Sequence, residues 1–532
     1  MRWISLALLC AACGGDDDPV ATEPPIEFPA MGRIDDASGR GSFRFGVATA
    51  ATQIEDMNPA VDWHLWTLPE AQGGLGKTTF VGDATRGFSL VDTDLALVEA
   101  LGVDSYRFSI EWARVEPVRD QIDEAALAHY RAALESLRER GIKPIVTVHH
   151  FSNPTWVADP RGNACGGGPS DTNLCGLGSI GASQIIAELG QHATLLAERF
   201  GDLVDDWGTV NEPVNYLFAG YAVGQFPPGQ LNLDPLHFAV VMRDYIASHV
   251  AIYDAIRGAD TIDADNDGSA AAIGFSVSVA DWQPTRDNAP STELEDIGAR
   301  DRLVYLFHYL FVDSIQNGNF DLNLDGTPDE EHLEWAGKLD WLGLQYYFRA
   351  GVSGKAPLLP APLGFTPCFG GFDFGSCMPS PDPSYCVPAM GYEGWIDGVF
   401  DVLTAFSARY PTLPLMVTEA GIATSTPKRR AENIVRELEA IARARDRGAD
   451  IRGYFHWSLT DNFEWHEGFA PRFGLFTVDY ETYGRTGNLG SDTFAEIIAG
   501  RRVTSEHRRL HGGTGPLTRE DGVSLDSRCR KQ

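Results

Sequence analysis

Asp206-Trp207-Gly208-Thr209-Val210-Asn211-Glu212-Pro213 is a short apolar run that stops on a carboxylate and is followed at once by a proline. Proline is tolerated in the first turn of a helix, so the stretch reads as a strand ending near Glu212 with a helix starting behind it. The same grammar recurs along the chain. Strand-like runs occupy Phe43–Ala50, Ser105–Ile110, Lys143–His149, Asp206–Val210, Ala271–Val279, Leu339–Tyr346, Leu415–Thr418 and Arg452–Trp457. Between them lie long loops or helix-like stretches with apolar residues at three-to-four spacing, such as Leu90–Leu101, Glu124–Arg140 and Ala431–Arg447. Eight strand–helix units predict an α/β fold, a (β/α)8 TIM barrel whose strands are parallel and buried.

Composition fits one large domain. The 532 residues are 43% hydrophobic, which is ample for a core, and carry a net charge of −32. That charge repels phosphate backbones and anionic lipid, so no nucleic-acid partner is expected. Residues 1–13 read as a sorting signal: Arg2 is the positive start, Trp3 to Leu9 the apolar run, and Ala11-Ala12 the small residues before a cleavage point. Cys13 resembles the lipid-modified cysteine of a bacterial lipoprotein, which predicts export and a membrane anchor. A flexible acidic, Pro-rich tether is expected over 14–33, the barrel domain over 34–504, and a polar C-terminal tail over 505–532. Six further cysteines lie in Gly/Pro-rich stretches, as loop staples do in an oxidising compartment. Cys165 and Cys175 are close enough in sequence to close a small loop. Among Cys368, Cys377 and Cys386 one pair is expected, leaving the third for Cys529.

The seventh strand run continues into Thr418-Glu419-Ala420-Gly421. Strand C-termini converge on one face of a barrel, so Glu212 and Glu419 are expected across one mouth. Paired carboxylates there suggest glycoside hydrolysis, although a single strand-end Glu is more often a salt-bridge or loop-anchoring residue.

The local sequences around these residues are more specific. In order they are Phe45-Gly46-Val47-Ala48-Thr49-Ala50-Ala51-Thr52-Gln53-Ile54-Glu55, Tyr106-Arg107-Phe108-Ser109-Ile110-Glu111-Trp112, Val148-His149-His150-Phe151, Asn211-Glu212-Pro213, Thr418-Glu419-Ala420-Gly421, and Trp457 through Trp465. Together they resemble glycoside hydrolase family 1, the retaining β-glycosidases that include β-glucosidases. The resemblance implies that Glu419 is the nucleophile and Glu212 the acid/base. It implies that Arg107 and Tyr347 attend the nucleophile. It further implies that Gln53, His150, Asn211, Trp457 and Glu464 hold the sugar, with Trp465 contacting either sugar or core. Outside that context Gln53 could cap a turn, and His150 and Trp457 could be core. Departures from the family pattern are Ala420, Gln345 and Phe151, where Asn, Asn and Trp are usual, and Thr52, where an aromatic or similar residue is common; they remove no charge that the two-step chemistry needs and bear on sugar preference and rate.

The implied activity is hydrolysis of an unphosphorylated β-glycoside, a β-glucoside foremost, with no cofactor. An acceptor hydroxyl could replace water on the same intermediate, which would make the protein a transglycosylase. A non-catalytic sugar-binding relative would be expected to have lost one carboxylate, and both are present. Loop inserts near 160–180 and 353–392 leave strand C-termini and are expected to shape the aglycone side. Two acidic turns, Asp263-x-Asp265-x-Asp267 and Asp321-x-Asn323-x-Asp325, copy the start of a calcium loop. Position twelve, where a bidentate Glu belongs, falls on Gly274 and His332 instead, so solvated turns are the favoured reading and structural calcium the alternative.

Overall fold

The computed structural model describes residues 23–162, 165–368, 374–520 and 529. All eight expected strands are present: β1 (Arg44–Ala48), β2 (Ser105–Ser109), β3 (Lys143–His149), β4 (Asp206–Asn211), β5 (Ala272–Arg286), β6 (Trp341–Ser353), β7 (Leu415–Ala420) and β8 (Ile451–Trp457). Each pairs in parallel with the next, and β8 pairs with β1, so the sheet closes on itself. The strands read as apolar runs because both faces are covered, one by the barrel interior and one by helices.

Those helices follow their sequence periodicity. In Glu124–Glu139 the Asp123 side chain accepts hydrogen bonds from the Ala125 and Ala126 amides, which caps the N-terminus, while Leu127, Tyr130, Leu134 and Leu137 are buried. Pro427–Asp446 begins with proline at its first turn and buries Ile434, Val435, Leu438 and Ile441.

Three features depart from the sequence reading. β5 and β6 run beyond the barrel as a paired ribbon, with Arg349, Ala350, Gly351 and Val352 opposite Asp281, Trp282, Gln283 and Pro284. The 353–392 insert folds back on this ribbon: Thr366–Pro367 pairs with Val352–Ser353, and Glu393 pairs with Arg349.

The tether is shorter than expected. Ile26–Glu27 pairs antiparallel with Arg502–Val503, and Phe28 is buried against Phe43 and Phe45, at ring-centroid distances of 4.5 and 5.3 Å. Docking this apolar Ile-x-Phe pattern removes residues 26–28 from the tether, while the signal and residues 14–22 lie outside the described residues.

The tail is likewise packed. Ser505–His511 is a helix capped by Thr504, and the Thr518 amide and hydroxyl donate to Glu432. Buried Glu520 accepts from Ser425 and from the Thr424 hydroxyl. The disulfides are Cys165–Cys175, Cys368–Cys377 and Cys386–Cys529, as the cysteine spacing allowed, and the last ties the tail to the insert.

Candidate active site

The strand C-termini surround a cavity of about 230 Å³. Gln53, His150, Asn211, Glu212, Tyr347, Glu419, Trp457, Glu464 and Trp465 all line it, so the sequence-derived site residues come together. Arg107 lies one layer beneath and is fully buried.

Arg107 joins β4 to β7. Its Nη1 donates to Glu419 Oε1 at 2.6 Å and its Nη2 to Asn211 Oδ1 at 2.6 Å. The Tyr347 hydroxyl donates to the other Glu419 oxygen at 2.7 Å. The preceding tyrosine, Tyr346, instead donates to the Trp395 carbonyl and packs away from the site. Gln345 donates to Asn211 Oδ1 at 2.8 Å. With that oxygen committed to two donors, the Asn211 amide is left to present its NH2 group to a ligand.

Glu212 has a different environment. It sits at φ 38°, in the left-handed region, just past the end of β4 and directly before the helix Pro213–Leu217. A non-glycine residue there is strained by roughly 1–3 kcal/mol and persists where the surroundings fix it. Here the Glu212 amide donates to the Ser276 carbonyl at 2.8 Å, and Asn215 donates to Oε2 at 2.8 Å. Burial pushes the Glu212 carboxyl up to about 8, with the charge of Glu419 adding to the rise. Burial also raises Glu419, but Arg107 and Tyr347 oppose that by stabilising its charge. One cation and one hydroxyl hydrogen-bond Glu419, whereas Glu212 receives neutral donors, so the surroundings favour the charged form more at Glu419 than at Glu212.

The residues expected from the sequence to hold the sugar form a second set. Gln53 Nε2 donates to the Phe463 carbonyl at 2.9 Å and to Glu464 Oε2 at 3.2 Å. Gln53 Oε1 and His150 Nδ1 are buried without a partner among the described residues. His150 is held well below the usual histidine range by burial and by Arg107, hence neutral. Burial, then Glu419 and Glu212, push Glu464 up to about 8. Trp465 lines the cavity and also packs on Trp63 and Phe151, at ring-centroid distances of 4.9 and 5.3 Å.

Asn215, Ser278, Met390 and Tyr392 also line the cavity and did not emerge from the sequence. Asn215 was legible in principle, because it is three residues past Glu212 on the same helical turn. Met390 and Tyr392 come from the 353–392 insert, which therefore does shape the site. No described residue of the 160–180 insert lines the cavity; the Leu174 amide packs on the Trp156 carbonyl and the Leu177 amide on the Tyr221 hydroxyl.

The acidic turns bond within themselves and to neighbouring cations, and Asp263 and Asp265 stand with Asp205 in a cluster whose carboxylate oxygens lie within 4.8 Å of one another. Lys143 forms an ion pair with Asp265 and lies 3.7 Å from Asp267, whose side chain is also 3.9 Å from Arg33. Asp263 accepts the amides of Asp267 and Gly268. Asp321 and Asn323 accept the Asp325 amide, and Asp325 accepts that of Thr327. Gly274, at the twelfth position of the first turn, is locked inside β5 opposite Trp341.

A model of glycosyl hydrolase family 1 matches residues 37–502. The chain belongs to glycosyl hydrolase family 1. As a family member it is an O-glycosyl hydrolase, and the family needs no cofactor. Among curated family relatives, a β-galactosidase of Pyrococcus woesei is 30% identical over 519 residues, covering 87% of this chain and 98% of the relative. A bifunctional β-D-glucosidase/β-D-fucosidase of Bifidobacterium breve is 31% identical over 485 residues, covering 86% and 97%. Among family 1 structures, a β-glycosidase from Pyrococcus horikoshii superposes with a TM-score of 0.74 at 28% identity, covering 92% of this chain and 99% of that one.

Proposed function

We propose that this chain hydrolyses unphosphorylated β-glycosides, β-glucosides foremost, with retention, Glu419 attacking the anomeric carbon and Glu212 serving as acid and then base. The observation that carries the reading is the unequal treatment of two buried carboxyls in one cavity. Glu419 is held by Arg107 and Tyr347. Glu212 is kept protonated by burial and by the charge opposite. In the first step Glu419 forms the glycosyl ester while the Glu212 proton passes to the departing oxygen. Esterification removes the charge on Glu419, so the Glu212 carboxyl becomes more acidic and can take a proton from the incoming water.

Relatives bearing the names β-galactosidase and β-glucosidase/β-fucosidase support a sugar with several tolerated configurations. The lining has no Lys or Arg among the described residues, and Arg107 is committed to Glu419 and Asn211. A 6-phosphate would therefore enter without a counter-charge, beside Glu464. A panel of aryl β-glycosides, with the anomeric configuration of the first product read by proton NMR, tests the reading. An inverted first product, or preference for a 6-phosphoglycoside, would overturn it.

We also propose that the protein is exported and anchored through Cys13. Three disulfides support an oxidising compartment. Mass spectrometry of the mature N-terminus tests the anchor, and an unmodified chain retaining Met1 would refute it.

A further inference from the structure

A second cavity, of about 280 Å³, adjoins the first. The two share Asn215, Phe348, Met390, Tyr392 and Glu467 as walls, so the chamber lies directly against the space beside Glu212. Each is small alone, but together they reach the size of an ordinary small-molecule site, about 300–1,000 Å³.

Its lining is apolar, and the barrel core did not make it so. The beyond-barrel ribbon of β5 and β6 supplies Trp282 and Phe348, and the helical segment after β5 supplies Leu306 and Phe307. Rings run edge to face from Phe307 to Trp282 and from Trp282 to Phe348, with centroids 5.6 and 5.7 Å apart, and Phe348 then stacks on Tyr392 at 5.3 Å. This aromatic ridge leads from the chamber to the catalytic cavity. The insert forms the opposite wall, held by two staples whose Cys368 and Cys529 themselves line the chamber.

The polar groups there are largely spent. Arg349 and Glu393 bind each other through two hydrogen bonds of 2.6 and 2.8 Å, and the Arg349 guanidinium also lies 3.5 Å over the Trp395 ring. A second sugar needs several free planar donors and acceptors, and this chamber does not offer that set.

We infer that the chamber takes the aglycone, and that the aglycone is an extended apolar group, alkyl or fused-ring, rather than a further sugar. The inference rests on the glycosidase reading and names its substrate class. Each methylene that enters leaves water, so transition-state binding should improve by about threefold to fourfold per methylene until the chamber is full.

The test uses the disulfide-intact full chain and a homologous series of alkyl β-D-glucosides from methyl to octyl, with cellobiose alongside. The expected result is kcat/KM rising steeply with chain length, octyl exceeding cellobiose by at least tenfold. Ala350→Trp, at a half-buried chamber position, should flatten the series, and so should Leu306→Asp; the former covers the case in which the latter fails to fold. A flat series with the methyl glucoside still cleaved would overturn the chamber's role while leaving the glycosidase reading intact. Failure to cleave any member would overturn both.

Discussion

Arg107 Nη1 meets Glu419 Oε1 at 2.6 Å with both groups almost completely buried, so this is a charge pair without solvent to replace either partner. Removing one member of a buried pair costs about 3–5 kcal/mol because the other charge is stranded. Arg107→Lys keeps the charge but loses the fork that spans Glu419 and Asn211. Its kcat/KM on an aryl β-glucoside should fall by roughly 100-fold or more. Tyr347→Phe removes one hydrogen bond to the same carboxylate, worth about 1.5–3 kcal/mol, and should fall by roughly 10- to 100-fold. Steady-state kinetics of the two variants checks the order, and a larger loss in Tyr347→Phe would contradict the assignment of Arg107 as the main holder of the charge.

Chemical rescue separates the two carboxyls. Glu419→Gly should lose hydrolysis and be partly restored by azide, yielding the glycosyl azide of inverted configuration, because the small anion occupies the vacated side. Glu212→Ala should still react in the first step with good leaving groups and give the retained azide. Product NMR decides it: interchanged stereochemistry would reverse the roles assigned above.

The pH profile follows from the same geometry. In the proposed mechanism activity needs Glu212 protonated and Glu419 ionised, so the basic limb of kcat/KM should record proton loss from Glu212, held up to about 8. Asn215 donates to Glu212 and thereby favours its charged form. Asn215→Ala should then move the basic limb upward. Glu464 also lies near 8 but takes its hydrogen bonds from Gln53 and Trp457. A limb that stays put in Asn215→Ala and moves in Gln53→Leu would assign it to Glu464 instead.

The eight strands were legible because buried parallel strands are near-continuous apolar runs, and Glu212 and Glu419 because each ends such a run. The ribbon of β5 and β6 was not. Asp281-Trp282-Gln283-Pro284-Thr285-Arg286 is mixed in polarity and contains a proline, so only its partner Arg349–Val352 defines it as strand. Tyr392 was hidden for a related reason, since a residue in an irregular insert gains its position from Glu393–Arg349 pairing and disulfides rather than from local periodicity. The tail read as polar because its anchors are polar: Glu520 on Thr424 and Ser425, and Arg508 on Glu439 at 2.7 Å.

Cys386–Cys529 closes a separation of 143 residues, the longest of the three staples. Chain-entropy arguments assign such a crosslink about 2–5 kcal/mol, through restriction of the unfolded state. Cys529→Ser should lower the denaturant midpoint accordingly, and more than Cys165→Ser, whose loop spans a separation of only 10. Equilibrium unfolding of both variants under non-reducing conditions checks the ranking.

Glu464 provides the test of sugar choice. Its carboxyl is buried and is held by Gln53 at 3.2 Å and by Trp457, with Gln53 Oε1 still unpartnered. A sugar hydroxyl that meets this pair donates to Gln53 Oε1, which no donor among the described residues reaches, or adds a bond to the Glu464 carboxylate. A sugar lacking or misplacing that hydroxyl leaves Gln53 Oε1 unpaired, at a cost of about 1–3 kcal/mol, enough for roughly tenfold discrimination or more. Glu464→Ser removes the acceptor and opens space. It should therefore reduce cleavage of β-glucosides more than that of β-xylosides, which lack the 6-hydroxymethyl group, compressing the ratio of their kcat/KM values by about tenfold. The same variant should not gain 6-phosphoglucosidase activity, because no Lys or Arg among the described residues lines the cavity to receive the phosphate. Strong 6-phosphoglucoside cleavage in Glu464→Ser would mean that Glu464 alone, and not the lack of a cation, keeps phosphorylated sugars out.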